Sequence, residues 1–486
     1  MGGHRLEGAA VSKVLVLGVS SMWLALCCAG TEARAATKTD PAGPLLVKAK
    51  RKPDMAWKEY ETRTLADLAG FRPGAAKTPL STYGGRLDRK VKATGFFRVE
   101  KVGDRWWLVD PEGCLFIHVG VCSVGATLSP GVKAAYGSKF GNQKAWADAA
   151  TAMLWENGFN GTGAWSQTAD LRAAARPVAY TLIHNFMSGF GRSKSMVYQK
   201  PGHAGYPDDC IPVFHPEFPA FCEAQARALA ATKDDPWLLG HFSDNEMPGQ
   251  VTLLDKFLGL DGSNADLAPG RRAAEAWLAE RKGGRATPRD ITDADRDAWR
   301  GHVFETYYRI TTAAIRKYDP NHLCLGSRLH GSEKRSPAIF AAAGKHLDAI
   351  AVNYYGAWTP DAGLLADWTR WSGRPVIITE WYTKGEDSGL ANTTGAGWIV
   401  PTQKDRGRFY QNFTLALLEA KTCVGWHWFK YMDNDPKNTR TDPSNRDSNK
   451  GIVTIGFEPY ADLVHMMRAL NRDVYPLIDH FDSRRR

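Results

Sequence analysis

Two glutamates stand in matching surroundings. Glu246 closes the run Gly240-His241-Phe242-Ser243-Asp244-Asn245-Glu246, and Glu380 closes Val376-Ile377-Ile378-Thr379-Glu380. Both runs are short, apolar and strand-like, and a carboxylate directly after a buried strand is costly unless a site uses it. Either glutamate alone reads equally well as half of an ion pair at a sheet end. Two in one structural position suggest paired-carboxyl chemistry. In glycosidic cleavage one carboxyl protonates the leaving oxygen, and the other attacks the anomeric carbon or activates water.

Such a pair needs a scaffold that brings two strand ends together. Eight short apolar runs cross the chain, at 115–121, 161–165, 178–182, 238–243, 323–327, 349–353, 376–379 and 424–428. Short continuous apolar runs suit strands buried on both faces. Helical patterns lie between them at 144–157, 219–233, 295–318, 364–372 and 404–421. Asn157-Gly158 is a helix stop, and Thr292 with Asp295 resembles a capping box. The pattern predicts an α/β chain folded as a (β/α)8 TIM barrel, with a helical insertion at 247–292 between strands four and five. A β-hairpin at 96–109, turning at Gly103-Asp104, precedes it. Strand carboxyl ends face the active site in such a barrel. Strands four and seven lie across its mouth, so Glu246 and Glu380 can converge.

The amino terminus reads differently. Arg5 and Lys13 flank an apolar stretch at 14–29, and Ala33-Arg34-Ala35 is an A-x-A cleavage site. Residues 1–35 are therefore expected to be a signal peptide, too short to span a membrane, directing the chain to the periplasm or outside. After cleavage no stable membrane insertion is expected. Residues 36–94 read as an irregular leader, and 95–486 as the catalytic domain. The formal net charge of +10 is read as a solvated basic surface. No zinc-type spacing, phosphate loop or nucleic-acid module is visible, so no cofactor, metal or nucleic-acid partner is expected. Asp433, Asp435, Asp442 and Asp447 do not have calcium-loop spacing. Cys210 with Cys222 is the one disulfide worth testing, while Cys122, Cys324 and Cys423 lie in strand-like runs. Sugar C–H faces bind aromatic planes, and Trp165, Trp358, Trp381, Trp426 and Trp428 all lie near strand ends. His184, Asn185 and His330 follow strands three and five as candidate hydroxyl ligands, and Asn449-Lys450 follows strand eight.

Asn245-Glu246, Thr379-Glu380, Asn353-Tyr354-Tyr355 and Trp428 resemble the clan A glycoside hydrolases. Within that clan the likeness is to the β-agarases of family fifty. It runs through Phe96-Phe97-Arg98-Val99, Trp106-Trp107-Leu108-Val109-Asp110-Pro111 and Phe242 to Glu246, and on through Gly425-Trp426-His427-Trp428-Phe429-Lys430. The resemblance implies that Glu246 is the acid/base, Glu380 the nucleophile, Asn245 a ligand of the sugar 2-hydroxyl, Tyr355 a support for the nucleophile and Trp428 a sugar platform. Trp381-Tyr382 departs from the Phe and His common after that nucleophile. The arginine usual on strand one or two is missing, and Arg328 on strand five is the candidate replacement. The implied function is retaining hydrolysis of a galactan polysaccharide or oligosaccharide. Hydrolysis of a different β-galactoside, a mannan or a β-glucan stays open, as does a non-catalytic carbohydrate-binding barrel. Oligomeric state is not readable.

Overall fold

The computed structural model describes residues 43–284 and 287–484. The expected signal peptide lies outside them. Eight parallel strands form the centre: β1 (His118–Val121), β2 (Gly161–Thr162), β3 (Ala179–Ile183), β4 (Leu238–Asn245), β5 (Leu323–Arg328), β6 (Ile350–Asn353), β7 (Val376–Glu380) and β8 (Cys423–Trp428). Each of the eight apolar runs supplies one. Neighbours pair in sequence order, and β8 returns to β1 through Trp428↔Val121. The ring closes between β5 and β6, where Leu329 N–H donates to Ala351 (2.9 Å) and Asn353 N–H donates to Leu329 (2.8 Å).

The barrel interior is filled from inward positions of successive strands. Leu239, Phe242, Leu323, Leu325, Ala351, Ile377 and Val424 form one apolar cluster with Phe97, Leu108 and Phe116. Leu108 and Phe116 come from a four-stranded antiparallel sheet, Arg86–Lys90, Arg98–Val102, Arg105–Val109 and Cys114–Phe116, and Phe97 directly precedes its second strand. Cys114–Phe116 runs almost directly into β1, so this sheet seals the barrel at the strand starts, opposite the mouth. The expected hairpin is its core, with Val102↔Arg105 flanking Gly103, whose φ of +66° needs no side chain. Polar interior positions are paired: His427 and His118 sit 2.8 Å apart across β8 and β1. β2 must give way there, since a Cβ on Gly161 would lie 1.7 Å from His118 Nε2.

Helices cover the outside. Thr292 and Asp295 close a capping box on the helix Asp293–Tyr318, and helices Leu253–Leu258 and Ala268–Lys282 form the insertion before it. Among the described residues no helix is long and apolar enough to cross a membrane. The six cysteines from Cys114 to Cys423 are all free and buried, so Cys210 and Cys222 are not bridged.

The segment before the hairpin departs from the expected irregular leader. Leu46–Ala49 and Lys58–Glu61 pair as antiparallel strands, with Val47 and Ala49 buried. Trp358 Nε1 donates to Thr62 Oγ1 (3.0 Å), and Lys50 exchanges backbone hydrogen bonds with Ile399. Four alternating residues inside lysine- and proline-rich text are too few for a periodicity to register. Phe97 is buried in the barrel floor, and truncating such a side chain leaves a cavity. Phe97→Ala should therefore lower unfolding free energy by about 3–5 kcal/mol, measured by urea denaturation.

Candidate active site

Four consecutive strands deliver the polar side chains of the mouth. β4 ends at Asn245, and Glu246 turns out of the strand with φ +46°, its N–H donating to Arg328 O at 3.1 Å. A left-handed non-glycine residue costs of order 1–3 kcal/mol and persists only where its surroundings fix it. Asp244 provides part of that fixing. Its buried carboxylate accepts from Met187 N (2.7 Å), Ser188 N (3.1 Å) and Tyr307 Oη (2.7 Å). Burial, against those hydrogen bonds, carries it up to about 6.

Glu246 and Glu380 are 8% and 5% exposed and line one cleft of about 1130 Å³. Asn353, from β6, links their strands. Its Nδ2 donates to Glu246 Oε1 (2.8 Å) and Asn245 Oδ1 (3.2 Å), and its Oδ1 accepts from Thr379 Oγ1 (2.8 Å). Glu380 takes Tyr355 Oη at 2.7 Å and Arg328 Nη2 at 2.8 Å. The guanidinium of Arg328, itself fully buried, also lies 4.0 Å from the Trp165 ring. Across the mouth His203 Nδ1 lies 3.6 Å from Glu246 Oε2.

Two carboxyls in one dry cavity resist joint ionisation. Burial, and then the charge of Glu246, push Glu380 up to about 7, against the pull of Arg328 and Tyr355. Glu246 feels the same burial. The neighbouring His203 and His330 imidazoles and the hydrogen bond from Asn353 turn it downward instead.

Of the residues picked from sequence, Asn185, Asn245, Glu246, His330, Tyr355 and Glu380 line the cleft. Arg328 stands behind it and reaches Glu380. Trp428, Trp381 and His184 do not line it. Strand alternation turns Trp426 and Trp428 outward together, onto the helix Gln403–Glu419. Trp428 packs against Tyr410 and Trp381, and Trp381 stacks on Phe413 at 4.3 Å. His184 is occupied by His241, 2.9 Å away. The aromatic walls are instead Trp165, Tyr382 and Phe429, of which sequence had singled out only Trp165. His203, Lys430 and Arg51 were also missed. His203 lies in a hairpin, Tyr198–Lys200 with His203–Gly205, too short to announce itself. That hairpin meets the loop after β8, where Asp442 accepts from Gly202 N (3.0 Å) and Gln199 Nε2 (2.6 Å).

Among the described residues two groups have metal-like spacing. His203, Glu246 and His330 place one ligand atom each within 4.8 Å of one another, at the cleft. His241, Asp319 and His322 do the same deep in the fold, where mutual hydrogen bonds already account for them.

No protein-family profile matches the chain. The crystal structure of BpGH50 superposes with a TM-score of 0.80 at 33% identity, covering 90% of this chain and 96% of that one. The agarase AgWH50C shares the fold, with a TM-score of 0.68 at 21% identity over 83% of this chain and 67% of its own. β-Agarase B of Vibrio sp. (strain JT0107) is 25% identical, over 87% of this chain and 53% of its own length. β-Agarase A of the same strain is 25% identical over 70% and 37%. The chain thus spans about half, or less, of the curated relatives it matches. With a third of its residues shared over nearly the whole of BpGH50, the chain belongs to glycoside hydrolase family 50.

Proposed function

We propose that the chain hydrolyses β-galactosidic bonds of an agar-like galactan by double displacement. Glu380 attacks the anomeric carbon while Glu246 protonates the leaving oxygen, and Glu246 then deprotonates the water that releases the sugar. The observation that carries this reading is the pair itself: two buried carboxyls on facing strand ends of one cleft, joined through Asn353. The agarase relatives supply the substrate class, and the mannan, β-glucan and non-catalytic alternatives have no comparable support. Asn245 is assigned to the sugar 2-hydroxyl, and Trp165, Tyr382 and Phe429 to the sugar faces. A polymeric galactan is met outside the cytoplasm, which agrees with the export signal read at 1–35.

The roles follow from what each carboxyl touches. Tyr355 donates to Glu380 and the Arg328 guanidinium pairs with it, and both favour its anion.

Glu246→Gln and Glu380→Gln should each lower kcat by roughly a hundredfold to ten-thousandfold or more with circular dichroism unchanged. Near-normal turnover on agarose oligosaccharides would remove that residue from the pair. Azide should rescue Glu380→Ala with an inverted glycosyl azide and Glu246→Ala with a retained one, and swapped outcomes would exchange the roles. Arg328→Met removes a cation that holds Glu380 down. Its carboxyl should rise further above about 7, moving the acidic limb of the kcat/KM profile to higher pH. An unmoved limb would show that Arg328 does not set the charge of Glu380.

A further inference from the structure

The cleft wall carries far more positive charge than hydrolysis of a neutral sugar uses. Arg51, Lys52, Arg192, Lys334, Lys430 and Lys450 line it, against three carboxylates, Glu246, Glu380 and Asp442. Among the described residues none of the six cations forms an ion pair. The carboxylates have other partners: Glu380 has Arg328, Glu246 has Asn353, and Asp442 takes backbone N–H groups and Gln199.

The lysines beyond β8 are the sharpest case. Lys450 is 1% exposed, yet two of its three N–H bonds go only to neutral acceptors, Ser444 O (2.6 Å) and Asn445 Oδ1 (2.9 Å). Its ammonium stands 5.2 Å from the Tyr382 ring and 5.4 Å from Phe429, on the Glu380 side of the cleft. Lys430 lines the same wall with no hydrogen-bond partner for its ammonium among the described residues. Lys384 behind them is different. Its Nζ is spent on the carbonyls of Asn392 (3.0 Å) and Thr394 (2.9 Å), holding the glycine-rich loop in place. Lys384 lies off the cleft lining, whereas Lys430 and Lys450 belong to it.

A buried ammonium without a counter-ion is costly, and like charges around one cavity add to the cost. A neutral galactan offers hydroxyls and ring oxygens, which leave that cost in place. An anionic substituent removes it through charge-assisted hydrogen bonds. We infer that the cleft is built for a charged galactan, whose sugars carry a sulfate ester or a carboxylate, with Lys430 and Lys450 receiving the anion beside Glu380. This rests on the galactan reading above and narrows it.

The test is calorimetric binding to the full-length Glu380→Gln variant, which keeps both lysines. Galactan oligosaccharides of one length are compared in three forms: neutral, O-sulfated and carboxylated. At least one charged form should bind about tenfold tighter than the neutral one at low salt, with the gap narrowing as salt screens it. Lys430→Gln and Lys450→Gln, each added to that variant, should shrink the gap, and Lys430→Gln serves if the buried Lys450 proves necessary for folding. The two charged arms separate sulfate from carboxylate. Equal or weaker binding of both charged forms would overturn the inference. Hydrolysis by the wild type reports separately on the catalytic reading. Neutral galactan cleaved without a charge preference keeps that reading and sinks this one; preferential binding with no galactan cleaved does the reverse.

Discussion

The structure is organised around the expense of holding two carboxyl groups out of water within one mouth. Glu246 and Glu380 are both largely removed from solvent, so protein groups must replace it, and the replacements come from neighbouring strand ends. Asn353 of β6 serves Glu246 while accepting from Thr379 of β7. Arg328 of β5 serves Glu380, and its carbonyl holds the backbone of Glu246. Four adjacent strands must therefore be in register before either carboxyl is satisfied. The seam at Leu329, where β5 meets β6, lies in the middle of that set. An open sheet would leave Arg328 and Asn353 on free edges, so barrel closure is a condition of the chemistry as well as of the core.

The same constraint explains why the pair is asymmetric. Glu380 sits between a guanidinium and a phenol, whereas Glu246 faces an amide and two imidazoles. The left-handed turn at Glu246 fits this division. It lifts the carboxyl off the β4 ladder toward the hairpin that carries His203, instead of letting it settle among the donors around Arg328.

How much of this was readable in advance depends on how local each signal was. The eight strands were legible because burial on both faces writes continuous apolar runs, and the hairpin because Gly103-Asp104 marks its turn. Glu246 and Glu380 were legible because a charge ending such a run is conspicuous. The tryptophans misled because alternation says that Trp426 and Trp428 share a face without saying which face. Here that face is turned to Tyr410, and Phe429, one residue on, meets the cleft. A register shift between β7 and β8 at Val376/Ile377 compounds the difficulty, since it breaks the count that would carry orientation from one strand end to the next. His203 and Arg51 were silent for another reason. Each reaches the site through contacts with distant chain, His203 with Glu246 and Arg51 with Trp398, which no short window of sequence contains.

That split between strand ends and distant loops also divides the work of the site. Groups at or just beyond β4 to β7 supply the two buried carboxyls and their immediate partners, positions held by the barrel. The walls come from elsewhere: the segment around Arg51, the hairpin of His203, the loop after Tyr382 and the stretch from Phe429 to Lys450. Loop residues can change charge without disturbing the ladder that positions the glutamates. Asp442 ties two of these loops together across the mouth, so the cationic wall and the Glu246 side share a support that does not pass through the barrel. The placement of the two glutamates is therefore set by strand register, and the cleft walls by loops that meet one another above it.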